Sequence, residues 1–265
     1  MMDLIETKQQ KNSDRHPWEL ARFEVITFLI SRFMPDLTHE NLILLDVGCG
    51  DTFLLERLSR TYPQAELVGV DTAFDGPTYV FFKKKYADSN ISVFRSLDEA
   101  GQHYGERKIQ VVFLLDVLEH IEEQIHFLKS LQKHPGIDEN TRFVITVPAY
   151  QALFSMHDVF LKHLRRYNNQ NLKQILIQSG FTAEQAGYFF FSLFLVRSLQ
   201  KLMELIKKPD ISKMKGIGGH KKKKIIDSLY KNLLVFDFRV FYKMRKIGIN
   251  FPGLSNYVLC KKSVL

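Results

Sequence analysis

Cysteine is almost absent: the 265 residues carry only Cys49 and Cys260. Two thiols cannot staple a chain of this length, so the fold rests on a packed core and the expected setting is a reducing one, the cytoplasm. Long apolar runs are missing too. The longest, Gly187 to Val196, is about half the ~20 residues needed to cross a bilayer, so the chain reads as soluble or peripheral at a membrane. Residues 1–16 are polar, lack the apolar segment of a cleavable signal and read as a frayed arm. Acidic charge is in deficit, 29 Asp and Glu against 37 Lys and Arg, for a net +8. What is present is apolar material, 45% of the chain, enough for one sizeable core and too rich for a disordered chain. One domain with an appended subregion is expected.

Helical spacing from Pro17 to Phe33 marks a first helix closed by Pro35. Five short runs then read as strands: Leu42–Val47, Glu66–Val70, Ile91–Phe94, Ile109–Leu115 and Phe143–Val147. Runs of this length with both faces apolar are those of buried parallel strands. Helical stretches alternate with them at 53–61, 78–86, 98–105 and 119–134, and that alternation implies a doubly wound α/β sheet. Its strand C-termini share one edge, where such sheets bind ligands. Beyond Pro148 the pattern changes. A helix over 169–179 stops at Gly180, and 181–196 is aromatic-rich, starting as strand and turning helical through Ile206. Residues 207–224 read as a loop with Pro209, three glycines and the run Lys221–Lys224; a helix over 225–246 and a strand over 255–261 follow.

The informative stretch is Asp46-Val47-Gly48-Cys49-Gly50, a strand end followed by a helix. Glycines there let backbone approach a ligand closely, and the helix N-terminus adds unpaired N–H groups. A third glycine for a dinucleotide fingerprint would fall at Phe53, which argues against NAD and against pyrophosphate. The next strand ends in Asp71, placed to accept two ribose hydroxyls or to cap the following turn.

With Gly69-Val70-Asp71 and Leu115-Asp116-Val117-Leu118-Glu119-His120-Ile121, these motifs resemble the class I S-adenosylmethionine-dependent methyltransferases. Within them the chain is similar to the small-molecule branch that includes ubiquinone-biosynthesis O-methyltransferases. The resemblance implies a Rossmann-like, mostly parallel seven-stranded sheet with an N-terminal helix and a C-terminal helical insertion. It divides the chain into an arm and lid helix (1–40), a cofactor-binding core (41–150) and an acceptor-recognition region with the final strands (151–265). It implies that Asp46, Gly48, Cys49 and Gly50 line the methionine moiety, that Asp71 and Thr72 meet the ribose, and that Asp116 and Val117 lie beside the methyl group. Many relatives carry an aspartate after the third strand; here Ser96 and Leu97 take the adenine side.

Methyl transfer is an in-line displacement in which the protein aligns the acceptor and, where needed, removes its proton. The segment after Pro148 would do this. His157, His163 and His120 are the candidate bases, in that order, each with a bland alternative as a packing or surface histidine. His157 and His163 are six apart, on opposite sides of a helix, so no metal site is expected. Tyr150, Arg166 and Tyr167 are the candidate acceptor contacts, with Arg166 as an anion clamp or, in the bland reading, a partner of Asp158. The stretch Ser155-Met156-His157-Asp158 to His163-Leu164-Arg165-Arg166-Tyr167 is similar to one found in a methyltransferase subgroup.

Residues 188–196 form either a buried strand entering a core helix or a greasy surface for a membrane or lipid-linked acceptor. Lys213, Lys215 and Lys221–Lys224 would draw that surface to anionic headgroups. Nucleic acid is set aside as a partner: the basic excess sits in one loop, and the fourth strand lacks an Asn-Pro-Pro-Tyr type of element. The reading is a methyltransferase acting on oxygen, less readily nitrogen, of a small or lipid-linked metabolite. The alternatives are a non-catalytic binding protein on the same fold, or an RNA or protein methyltransferase.

Overall fold

Residues 15–33, 42–206 and 224–263 are described by the structure, a computed structural model. Most of the arm expected to fray, Pro35 and most of the loop expected over 207–224 lie outside them. The core begins with α1 (Pro17–Phe33), followed by β1 (Ile43–Val47), α2 (Phe53–Thr61), β2 (Glu66–Val70), α3 (Gly76–Lys85) and β3 (Ile91–Phe94). Next come α4 (Leu97–Tyr104), β4 (Val111–Leu115), α5 (Gln124–Gln132) and β5 (Arg142–Pro148). The C-terminal region holds α6 (Met156–Phe160), α7 (Asn169–Gln178), β6 (Phe181–Phe189), α8 (Phe191–Ile206), α9 (Lys224–Lys246) and β7 (Ser255–Lys262).

The strand order is β3-β2-β1-β4-β5-β7-β6. The first five strands are parallel, and β7 runs antiparallel to both β5 and β6. The expected seven-stranded, mostly parallel sheet is therefore the observed one. Between β2 and β4, strand β1 marks the reversal of strand order, the crevice in which open α/β sheets take ligands.

Period-two alternation divides the core into two layers. Leu44, Leu67, Phe113, Val144 and Leu259 pack with α1, α2 and α9 on one face. Ile43, Leu45, Val68, Val112, Ile145 and Val258 pack with α4, α5 and α7 on the other. Local sequence fixes the helix starts. Asp75 accepts from Thr78 N at 2.9 Å to cap α3, and Asn168 and Asn171 cap α7 reciprocally.

The expected helix over 119–134 is broken into a 3-10 turn at Leu118–His120 and the shorter α5. Tertiary contacts are the reason. The Leu118 carbonyl accepts from Tyr167 Oη at 2.9 Å besides its 3-10 bond from Ile121 N, and the Glu119 carbonyl accepts from Leu164 N at 2.8 Å. Among the described residues no helix is long and apolar enough to cross a membrane.

Candidate functional site

The β1–α2 loop makes a tight backbone cradle. Gly48 and Gly50 have φ of +75° and +54°, and Thr52 follows at +66°. The N–H groups of Gly48 and Cys49 converge on Val70 O at 2.8 and 3.2 Å, tying the loop to the end of β2. A Cβ at Gly48 would lie 2.7 Å from Val117 Cγ2, so only glycine lets the loop and the β4 end approach this closely. Asp71 is half-buried; its Oδ2 accepts from Gly50 N at 2.8 Å and its Oδ1 from Ala73 N at 2.9 Å. Thr72 beside it is exposed. The Cys49 thiol packs over Gly69 and is fully buried, which pushes its pKa up and leaves the loop only its backbone there.

Asp46 is wholly buried near the end of β1, and neither carboxylate oxygen has a hydrogen-bond partner among the described residues. Burial pushes its pKa up to about 8, with Asp71 and Asp51 adding repulsion and Arg22 opposing them. Such a carboxyl group keeps its proton at neutral pH and ionises there only beside a cation.

Helix α1 closes over this edge. Arg15 pairs with Asp51 of the glycine loop and reaches Glu19 at 3.3 Å, its guanidinium 4.4 Å from the Phe53 ring centre. Arg22, 4% exposed, donates to Asp116 Oδ2 at 2.5 Å and to Thr146 Oγ1 at 2.6 Å, joining the ends of β4 and β5. Burial favours a neutral Asp116, yet Arg22 and His163 acting together hold the carboxyl below its usual range. The Nε of Arg22 is buried without a partner among the described residues. Trp18, Phe23, Phe53, Leu54 and Leu115 line the cleft between α1 and the loop. Sequence reading missed Arg22 as a functional residue: its partners lie 94 and 124 residues away.

On the acceptor side, Asp158 is the organiser. Its Oδ1 accepts from Arg166 Nε at 2.7 Å and pairs with His163 Nδ1 at 2.9 Å. Its Oδ2 accepts from Ser155 N and Oγ at 2.9 and 3.1 Å. Burial alone would raise its pKa, but His163 and Arg166 force it far below the ordinary carboxylate range. The His163 ring stands 4.9 Å from that of His120, edge to face. Ligand atoms of Glu119, His120 and His163 lie within 4.8 Å of one another, a donor set that spacing along one helix could not foresee. Glu119 is fully buried with both oxygens unpartnered among the described residues, and burial drives its pKa well up.

Two expected acceptor contacts have partners within the protein. Arg166 is buried on Asp158 and the Ala149 carbonyl, the bland reading of that arginine. Tyr167 is 1% exposed, its hydroxyl engaged with Leu118 O and Gln124 Oε1, so it holds the 3-10 turn. Tyr150 (φ +60°) instead stacks on Tyr188 at 5.0 Å and lies 5.4 Å from Phe194. His157 stacks on Phe160, 6.4 Å away, and burial lowers its pKa. Ser96 Oγ caps α4 through Glu99 N at 3.2 Å, while the Leu97 carbonyl faces His134 Nε2 at 3.1 Å. The structure thus joins His163 and His120, and Gly48 and Val117, but draws Arg166 and Tyr167 into the scaffold.

A family model described as a methyltransferase domain matches residues 18–186. The tRNA U34 carboxymethyltransferase of Sulfurimonas denitrificans is 29% identical over 139 residues, 49% of this chain and 46% of that protein. The chain therefore spans about half the length of the curated relative it matches. The solved plantazolicin methyltransferase BpumL in complex with SAH is 14% identical, covers 94% of this chain and 85% of its own, and gives a TM-score of 0.53. The (4+2) cyclase SpnF is 13% identical, with coverage of 97% and 86% and a TM-score of 0.54. At such identities the two structures share the fold alone.

Proposed function

The chain belongs to the methyltransferase domain family, and from that premise we propose that it uses S-adenosylmethionine to methylate an oxygen, ahead of a nitrogen, on a small or lipid-linked metabolite. The ubiquinone-biosynthesis branch is the proposed neighbourhood within the family, on the strength of the Leu115–Ile121 motif. The observation that carries the cofactor reading is a matched pair of buried orphans. Asp46 offers a carboxylate and Arg22 an N–H, each without a partner among the described residues, beside a cradle that admits no Cβ at Gly48. A carboxylate and a guanidinium suit the ammonium and carboxylate of the methionine end, and Asp71 suits the ribose.

S-adenosylmethionine, when bound, supplies a methyl group already activated on a sulfonium. Everything else falls to this chain. Asp46, Arg22, Gly48 and Asp71 hold the cofactor, with Val117 closing the cradle. Helix α1 excludes water through Trp18 and Phe23. Asp158 holds the His163 Nδ1–H, leaving Nε2 as the lone-pair nitrogen that takes the acceptor proton. His163 thus leads His120 and His157 as the proposed base, and Tyr150 with Tyr188 forms an aromatic platform for the acceptor.

Calorimetric titration tests the cofactor half. S-adenosylmethionine and S-adenosylhomocysteine should bind in the micromolar range, NAD should not, and Asp71→Ala should weaken both at least tenfold, about 1.4 kcal/mol. Failure of both sulfur nucleosides to bind would sink the reading. A second reading, RNA methylation, is favoured by the tRNA-modifying relative. Radiolabelled methyl transfer offered to total tRNA and to a lipid extract separates the two.

A further inference from the structure

Helices α8 and α9 each carry an apolar stripe on the outside. Leu195, Leu199, Leu202 and Ile206 follow helical spacing on α8, and every one is more than half exposed. Ile226, Leu229, Leu233 and Phe236 repeat the pattern on α9, again each more than half exposed. A surface helix of a globular protein normally turns such a stripe to the core. Here the inward faces are already occupied. Phe238 and Tyr242 of α9 meet Phe28 of α1 at 5.5 and 5.0 Å. Asp237 of α9 accepts from Ser192 N and Oγ at the start of α8, and Phe194 of α8 meets Tyr150. The outer stripes are therefore exposed apolar residues gathered along two helices, not scattered singly.

Charge selects the occupant. The sequence that connects the two helices, 207–224, holds eight lysines and a single aspartate, nearly the whole +8 of the chain. A second copy seated on these stripes would only double the positive charge of the assembly, which like-charge repulsion opposes. An anionic surface complements them. No described helix can span a bilayer, which leaves seating at the interface.

We propose that the outer faces of α8 and α9 seat this protein on an anionic phospholipid membrane, their apolar side chains entering the headgroup boundary. Phe194, one residue before the stripe begins at Leu195, contacts Tyr150 just past β5, so the seated face starts next to the strand edge proposed to bind the ligand. The inference stands on the exposed stripes and the charge, and survives whatever the acceptor proves to be.

Vesicle flotation of the full-length protein tests it. The protein should float with phosphatidylcholine vesicles containing phosphatidylglycerol at low salt, and binding should fall at least tenfold without the anionic lipid or in high salt. The double substitution Leu199→Glu with Leu229→Glu, at exposed positions, should reduce binding at least tenfold while the melting temperature stays unchanged. Replacing Lys221, Lys222, Lys223 and Lys224 by Gln should weaken it roughly a hundredfold or more. No flotation at low salt, equal binding to neutral vesicles, or indifference to both variants would overturn the proposal. So would a sedimentation-detected dimer that Leu199→Glu dissociates, in the absence of vesicle binding.

Discussion

Asp46 and Asp158 are both buried carboxylates near the same edge of the sheet, and their surroundings are opposite. Asp158 receives donors from Arg166, His163 and twice from Ser155, which hold it ionised far below the usual range. Asp46 has no hydrogen-bond partner among the described residues, and burial lifts it to about 8. A saturated carboxylate organises the protein; an orphaned one is complete only with a ligand. The cofactor half is thus open in its chemistry and closed in its backbone. The acceptor half is the reverse around Asp158, whose donors are locked on it while Glu119 nearby has no hydrogen-bond partner among the described residues, and its aromatic face from Tyr150 to Phe194 is half-exposed.

The largest effect should come from breaking the saturated member. Asp158→Asn removes the charge that neutralises Arg166 and the acceptor that holds His163 Nδ1, leaving a buried guanidinium uncompensated. Urea unfolding should show a loss of about 3–5 kcal/mol. The same change frees the His163 ring to turn, so kcat should fall roughly a hundredfold or more with little change in KM for the cofactor. A stable Asp158→Asn protein with full turnover would dissolve the contrast.

The orphaned member should announce itself through pH. The folded-state pKa of Asp46 is raised from 3.8 to about 8, so the folded protein keeps a proton the unfolded chain has lost. Ligand-free stability therefore falls as pH rises across that window, by about 1.4 kcal/mol per unit. Asp158 does not mask this: its pKa is lowered, and its contribution is fully present above the ordinary carboxylate range and lost only in acid. Between about pH 5.5 and 7.5, Asp46→Asn should remove about 3 kcal/mol of the pH dependence measured by urea unfolding. Parallel stability curves for wild type and variant would show that Asp46 has a partner.

The two halves also differ in how far the sequence exposes them. Gly48, Gly50 and Asp71 are legible because a strand, a glycine turn and a helix are local events, with ligand chemistry written into neighbouring residues. Asp158 and His163, five apart, were readable as a segment but not as a dyad. Glu119 reaches His163, and Arg22 reaches Asp116 and Thr146, only through packing of distant elements. The aromatic run 188–196 had no period to give it a phase. Its answer is divided: Phe189 and Phe190 are buried, φ at Phe190 turns positive at +65°, and Leu195 and Val196 emerge on the surface. The helix expected from Glu119 starts late because Leu164 N takes the Glu119 carbonyl and Tyr167 Oη holds the turn at Leu118, which periodicity cannot register.

His157 is where the comparison can be sharpened most finely. The sequence reading ranks it first among the candidate bases. Its surroundings argue otherwise. The ring lies against Phe160 and burial lowers its pKa, whereas His163 has the Asp158 carboxylate to fix its tautomer. A base needs a partner that stabilises the proton it gains, and burial beside an aromatic ring works against that. His157→Ala should therefore leave turnover within about threefold, about 0.65 kcal/mol of barrier, under conditions where His163→Ala loses two orders of magnitude. If steady-state kinetics showed the two losses exchanged, the Asp158 network would be scaffold alone and the proton would leave by His157.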